Sequence, residues 1–259
     1  MRERTAVQVV SSLSSGEYRM VVVLAVDALE YDKIEEFNCV KIKQAIYGKT
    51  DISEFKEPRT IVLWSSFMTG ENKEEEVLEK GNKDMWNIKI PISETFFANF
   101  QTPRVIDLPA FSYDLAQHQK ERELLKQFFE DDDQQKKKTI QSVYNQIALK
   151  HHKKIKSEFL KSLEQDFDFV LGYFSAIDVV GHLNFGNKIL MRMLYDDIEN
   201  LVEEIKQIRD EHLLILSDHG MKAIGIFGEH SNYGYWSFDS KCSLENPKIT
   251  DFANFLTSI

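Results

Sequence analysis

The sequence predicts an α/β fold, with a mainly parallel sheet sandwiched by helices. Two observations carry that expectation. Short apolar runs stand at Met20–Val26 (MVVVLAV), Phe167–Phe174 (FDFVLGYF) and Leu213–Leu216 (LLIL), as in strands buried on both faces. Segments with helical spacing lie between them, and strands alternating with helices favour parallel pairing.

Taken in order, Met20–Val26 is the first strand and ends at Asp27. Leu29, Ile34, Phe37, Val40, Ile42 and Ile46 then recur near helical spacing, which predicts a helix over 29–46. Residues 48–58 read as a polar connection. Thr60–Thr69 is apolar without breakers and closes at Gly70, a C-cap signal. Residues 71–80 are charged and read as a solvated helix or loop. Arg104–Leu108 is a short strand candidate ended by Pro109. Asp114–Phe129 has one apolar face (Leu115, Leu124, Leu125, Phe128) and reads as a helix. The block EDDDQQKKK at 130–138 reads as a solvated junction to a second helix over 139–163. After the strand at Phe167–Phe174 comes the segment Ser175–His182, and Ile189–Ile208 is strongly amphipathic. The run at Leu213 leads into Ser217-Asp218-His219-Gly220-Met221, then a Gly-containing segment with Gly225, Gly228 and His230. Ile249–Leu256 predicts a closing helix.

A chain of 259 residues can bury a large core as one domain. We expect residues 20–259 to form it and residues 1–19 to be a flexible tail, with Met20 the natural start. Residues 71–165 are the candidate for a small cap or insertion. The net charge of −10 argues against binding to duplex nucleic acid or a membrane surface, which requires basic patches. A phosphorylated small molecule stays compatible, because bound cations reverse the local sign. Two cysteines without metal-type spacing point to a reducing cytoplasm, and no apolar run reaches the length of a membrane span.

Three apolar runs lead to carboxylates or imidazoles: Asp27, Asp178 with His182, and Asp218 with His219. His230 follows in a Gly-flanked loop. In a parallel sheet these strand ends share the edge where ligands bind, and their donors are those divalent metals take. His151 and His152, in a Lys-rich stretch, are expected to face solvent. His118 lies among Gln and Lys neighbours, and His212 precedes a strand; neither is expected to be a ligand. Nucleophile candidates cluster at Thr60, Ser65, Ser66 and Thr69. Thr60 is preferred because it opens a helix, where an anion finds free N–H groups; Ser65 and Ser66 stay open. Trp86, Phe111, Tyr113 and Tyr233 are aromatic candidates for stacking on a base, although most aromatic residues serve the core.

The motifs Val26-Asp27-Ala28, Thr60 through Trp64-Ser65-Ser66-Phe67-Met68-Thr69-Gly70, Asp178-Val179-Val180-Gly181-His182, Ser217-Asp218-His219-Gly220-Met221 and Gly228-Glu229-His230 together resemble the alkaline phosphatase superfamily. Within it they are most similar to the type I phosphodiesterase/nucleotide pyrophosphatase family in its compact prokaryotic form. The resemblance spans residues 20–231 and implies an alkaline-phosphatase-like core with a small helical insertion. It makes Thr60, ten residues before Gly70, the nucleophile. It implies two divalent metal ions, usually zinc, with manganese or iron in relatives. Asp178, His182 and His230 would hold one, and Asp27, Asp218 and His219 the other, with Thr60 between them. The implied reaction is hydrolysis of a phosphate ester or nucleotide through a phosphothreonine intermediate. The chain departs from the pattern at Leu63, where relatives carry a phosphate-holding Asn, at Ile61-Val62, where prolines are usual, and after Gly70. Alternatives are a phosphomonoesterase or phosphoryl mutase on the same core, or a non-hydrolytic metal-binding relative.

Overall fold

The computed structural model describes residues 20–209 and 212–259; the expected tail at 1–19 and the start at Met20 therefore lie outside or at the border of the described residues. The elements run β1 (Val21–Val26), α1 (Tyr31–Glu36), α2 (Val40–Lys43), β2 (Ile46–Asp51), α3 (Thr60–Thr69), α4 (Glu74–Leu78), α5 (Gly81–Asp84) and β3 (Pro103–Ile106). They continue with α6 (Leu115–Glu130), α7 (Gln134–Leu163), β4 (Phe169–Phe174), α8 (Ala176–Asn184), α9 (Lys188–Ile208) and β5 (Leu213–Ser217). Strands β6 (Met221–Ile224), β7 (Phe227–His230) and β8 (Tyr233–Phe238), then helix α10 (Asp251–Thr257), complete the chain.

Among the described residues six strands form one sheet in the order β2-β8-β5-β1-β4-β3. Strands β5, β1, β4 and β3 are parallel; β8 and β2 extend the sheet antiparallel. The sheet is thus mainly parallel and flanked by helices. Strand β1 is its centre, with Val22 opposite both Val170 and Leu213. Its side chains alternate between two cores. Val22, Leu24 and Val26 pack with residues of α7, α8 and α9. Val21, Val23 and Ala25 pack with α3 and α10. Burial on both faces explains why β1, β4 and β5 are wholly buried and read as apolar runs.

Helix α9 offers the sheet one stripe, Met191, Leu194, Tyr195, Ile198, Leu201, Val202 and Ile205, at the 3–4 spacing its sequence carries. Helix α3 is covered on all sides, with residues Thr60 to Met68 buried, and Gly70 ends it at φ 71°. Among the described residues, no helix is long and apolar enough to cross a membrane.

The structure corrects the sequence reading in three places. The single helix expected over 29–46 is two short helices, because Asn38 turns left-handed at φ 52°. Residues 48–51, expected in a polar connection, belong with Ile46 and Tyr47 to edge strand β2, whose alternating exposure removes any apolar run. Residues 221–238 hold the β6–β7 hairpin and strand β8. Gly234 and Ser237 interrupt β8's apolar pattern, yet it lies buried between β2 and β5.

Candidate active site

The carboxyl ends of β1 and β5 and the start of α8 bring the sequence-predicted residues together. Asp27 follows β1, and Asp218 and His219 follow β5; all three are buried. Asp178 and His182 lie one turn apart on α8, so one helix face presents both. The hairpin returns His230 beside them: its ring stacks on His219 at 3.6 Å and stands 5.2 Å from His182. Thr60 is the first residue of α3, and its Oγ1 is 3.2 Å from His219 Nε2.

Two groups of three ligand atoms form there: Asp27, Asp218 and His219, and Asp178, His219 and His230, each with its atoms within 4.8 Å of one another. His182 Nε2 is 3.3 Å from Asp178 Oδ1, and His230 Nε2 is 3.2 Å from it. His219 Nε2 lies 3.3 Å from Asp27 Oδ1 and 3.4 Å from Asp218 Oδ2. Despite these approaches, Asp27 Oδ1, Asp178 Oδ1, both oxygens of Asp218 and His230 Nε2 are buried without a hydrogen bond. Unpaired buried polar atoms are costly, and here they converge. That is the donor set and the deficit a divalent cation fits.

The outer atoms of the same residues are secured. Tyr173 donates its hydroxyl to Asp27 Oδ2. His219 Nδ1 faces the Gly220 carbonyl at 3.1 Å and His182 Nδ1 the Gly228 carbonyl at 3.2 Å. A carbonyl only accepts, so these nitrogens carry protons and, in the neutral rings, each Nε2 turns a lone pair inward, as ligating imidazoles do. Glu30 holds the loop beneath: its Oε2 accepts from Met221 N at 2.8 Å and from the Ser231 hydroxyl at 3.1 Å.

Electrostatics show the same deficit at Asp27 and Asp218. Burial, then repulsion from Asp178, raises Asp27 to about 7. Burial and the Asp27 carboxylate push Asp218 well above the usual range. Burial and the neighbouring His230 lower His219 to about 3, keeping it neutral. Burial opposes charge on Asp178 and His182, but their mutual attraction wins: Asp178 is held well below its usual value and His182 rises to about 9.

Ser65 and Ser66 are fully buried inside α3, and the Ser66 hydroxyl bonds back to Val62 O at 2.8 Å. Thr69 sits at the far end of α3, bonded to Ser65 O at 2.9 Å. Thr60 is the member of the Ser/Thr set that lines the cavity, and Leu63 is fully buried in the core. The cavity, about 320 Å³, is lined by Asp27, Thr60, Asp178, His182 and His230. Met85, Trp86, Tyr113, Arg122 and Leu125, all within 71–165, line it as well. Phe111 packs against the core and Tyr233 donates to Glu30, so neither lines it.

Three of the four histidines expected outside the chemistry, His118, His151 and His152, are buried, and His212 is half-buried. His152 pairs with Asp197 at 2.6 Å. His118 and His151 converge on Asp107 Oδ2 at 2.9 and 2.6 Å, and His118 Nδ1 meets Glu121 at 2.8 Å. Solvent exposure was expected from the Lys-rich sequence around 151–152; packing of α7 against the sheet overrides it. Asp107, His118 and His151 also form a compact group of potential ligands. Their ligand atoms there, unlike those at the strand ends, are paired with one another, which marks an ion-pair network. Burial opposes charge on both Asp107 and His118, but the hydrogen bonds dominate, lowering Asp107 to about 2 and raising His118 to about 9.

The sequence model of a family described as type I phosphodiesterase / nucleotide pyrophosphatase matches residues 78–232, more than half of the chain. The match includes Asp178, His182, Asp218, His219 and His230, and begins after Asp27 and Thr60. No curated protein matches by sequence. Two solved structures of murine ectonucleotide pyrophosphatase/phosphodiesterase 5, one an inactive variant in complex with AMP, align with TM-score 0.42 at 12% identity. Each alignment covers 80% of this chain and 58% of the other, so the chain spans less than two thirds of the structures it matches.

Proposed function

Since the chain belongs to the type I phosphodiesterase/nucleotide pyrophosphatase family, we propose that it is a metal-dependent hydrolase of phosphodiesters or nucleotide pyrophosphates with Thr60 as nucleophile. The observation that carries this reading is the convergence of unpaired carboxylate and imidazole atoms around a hydroxyl, with Thr60 Oγ1 3.2 Å from His219 Nε2.

Asp178, His182 and His230 would hold one divalent ion and Asp27, Asp218 and His219 a second, with zinc the metal best suited to this mixed N/O set. Bound ions supply positive charge that makes the Thr60 hydroxyl more acidic and offsets charge growing on the phosphoryl oxygens. The first turn of α3 adds N–H groups without helical acceptors and the positive helix end. Thr60 Oγ1 forms a bond to phosphorus as the ester bond to the leaving alcohol or phosphate breaks. The resulting phosphothreonine ester keeps the remaining substituent, and water then cleaves the Thr60–phosphorus linkage. His219 stays neutral and turns Nε2 toward Thr60, and Tyr173 fixes Asp27. We assign residues 20–259 to one domain in which parts of 71–165 wall the cavity.

The test is hydrolysis of bis-p-nitrophenyl phosphate beside p-nitrophenyl phosphate by protein loaded with zinc or manganese. Preference for the diester supports the proposal. Preference for the monoester replaces it with a phosphomonoesterase, and turnover of neither identifies a non-hydrolytic metal-binding relative.

A further inference from the structure

The cavity that holds these carboxylates also carries a cation that the chemistry above does not use. The Arg122 guanidinium lies 4.3 Å over the Trp86 ring. Trp86 is nearly parallel to Tyr113 at 6.1 Å, and Tyr113 stacks on His118 at 4.0 Å. Buried ion pairs of His118 with Asp107 and Glu121 anchor the far end of this stack. Arg122 is therefore placed by a rigid series of rings.

Its charge has no counterpart. The chain has 42 acidic residues against 32 Lys and Arg, so carboxylates are abundant. Yet both neighbours in sequence are engaged, Glu121 by His118 and by Gln117 at 2.8 Å and Glu123 by Gln119 at 2.8 Å. The positions one helical turn away are His118, Gln119, Leu125 and Lys126, none acidic. Arg59, the other arginine lining the cavity, pairs with Glu57 and Asn82. Arg122 makes no hydrogen bond or ion pair among the described residues, while lining a half-enclosed cavity with five N–H donors. Arg122 is half-buried, and a guanidinium without a counter-ion is matched by a planar oxyanion that accepts two of its bonds.

We infer that Arg122 is a specificity-determining residue that receives a second phosphate group of the substrate, remote from the phosphorus under attack. The inference rests on the reading of the site as a phosphoryl hydrolase and narrows its substrates to esters or anhydrides with an additional phosphate, such as nucleoside polyphosphates.

The experiment compares metal-loaded wild type with Arg122→Gln on ATP, which carries additional phosphates, and on bis-p-nitrophenyl phosphate, which carries none. Loss of a charge-assisted contact should raise KM for ATP about tenfold or more, with kcat within about twofold. Both constants for bis-p-nitrophenyl phosphate should stay within about twofold, which also shows that the variant is folded. Equal losses on both substrates, or an unchanged KM for ATP, overturn the inference. If the wild type does not turn over ATP, calorimetric titration of both proteins with inorganic pyrophosphate decides independently of catalysis. Binding about tenfold weaker in Arg122→Gln supports the subsite, and equal binding overturns it.

Discussion

Gly228 and Met221 are interlocked: a Cβ on Gly228 would lie 2.2 Å from the Met221 sulfur and 2.8 Å from the Gly181 carbonyl oxygen. Gly181 meets the same sulfur, which would stand 2.5 Å from its Cβ. The methionine after Asp218-His219-Gly220 thus fills the space left by the two glycines that precede His182 and His230. Three motifs distant in sequence are packed into one unit, and their histidines are aligned by it.

Gly228→Ala should accordingly disturb the site more than the global fold. Overpacking costs about 1–3 kcal/mol, and the strain falls on the hairpin that carries His230. Zinc affinity by competition with a chelating dye should drop at least about tenfold. Unchanged affinity in the variant would show that the hairpin tolerates the shift.

Tyr173→Phe removes the hydroxyl that Asp27 Oδ2 accepts while keeping the ring. Outer partners of this kind are worth about 10–100-fold in metal affinity. The same dye competition should register a loss of that size with near-UV circular dichroism preserved. Affinity equal to wild type would remove Tyr173 from the support of Asp27.

The buried His118 network predicts a pH dependence. His118 is raised from 6.5 to about 9 by Asp107 and Glu121 against the effect of burial. A raised histidine stabilises fully below its unfolded value and loses that contribution as pH climbs through the folded one. Asp107, lowered from 3.8 to about 2, contributes above its unfolded value and loses its part as pH falls through 2. The difference in thermal midpoint between wild type and His118→Gln should be largest near pH 6 and shrink toward pH 9. His182, also raised to about 9, is common to both proteins and cancels. A difference constant from pH 6 to 9 would mean that His118 is not charged in the fold.

The residues at the strand ends were legible because β1, β4 and β5 are buried on both faces, so their apolar runs stop abruptly at Asp27, before Asp178, and at Asp218. Thr60 was legible from its place at the start of an uninterrupted apolar helix. Strand β2 was not, since an edge strand with one exposed side carries no apolar run. His151 read as a surface residue, and His118 as no ligand, because local sequence around them is polar. Their burial comes from the packing of α6 on α7 and from Asp107, held at φ 60°, none of which leaves a periodic trace. Arg122 is conspicuous through what it lacks in three dimensions, and a sequence records no missing partner.

The central claim is that metal ions and Thr60 act together on a phosphodiester. It is tested most directly by measuring hydrolysis of bis-p-nitrophenyl phosphate and bound zinc on the same samples of wild type, chelator-stripped wild type and Thr60→Ala. The account predicts turnover in the loaded wild type, loss on stripping with recovery on adding zinc, and a fall of at least about a thousandfold in Thr60→Ala at near-normal zinc content. Turnover by Thr60→Ala at the wild-type rate, or by stripped protein, would contradict it.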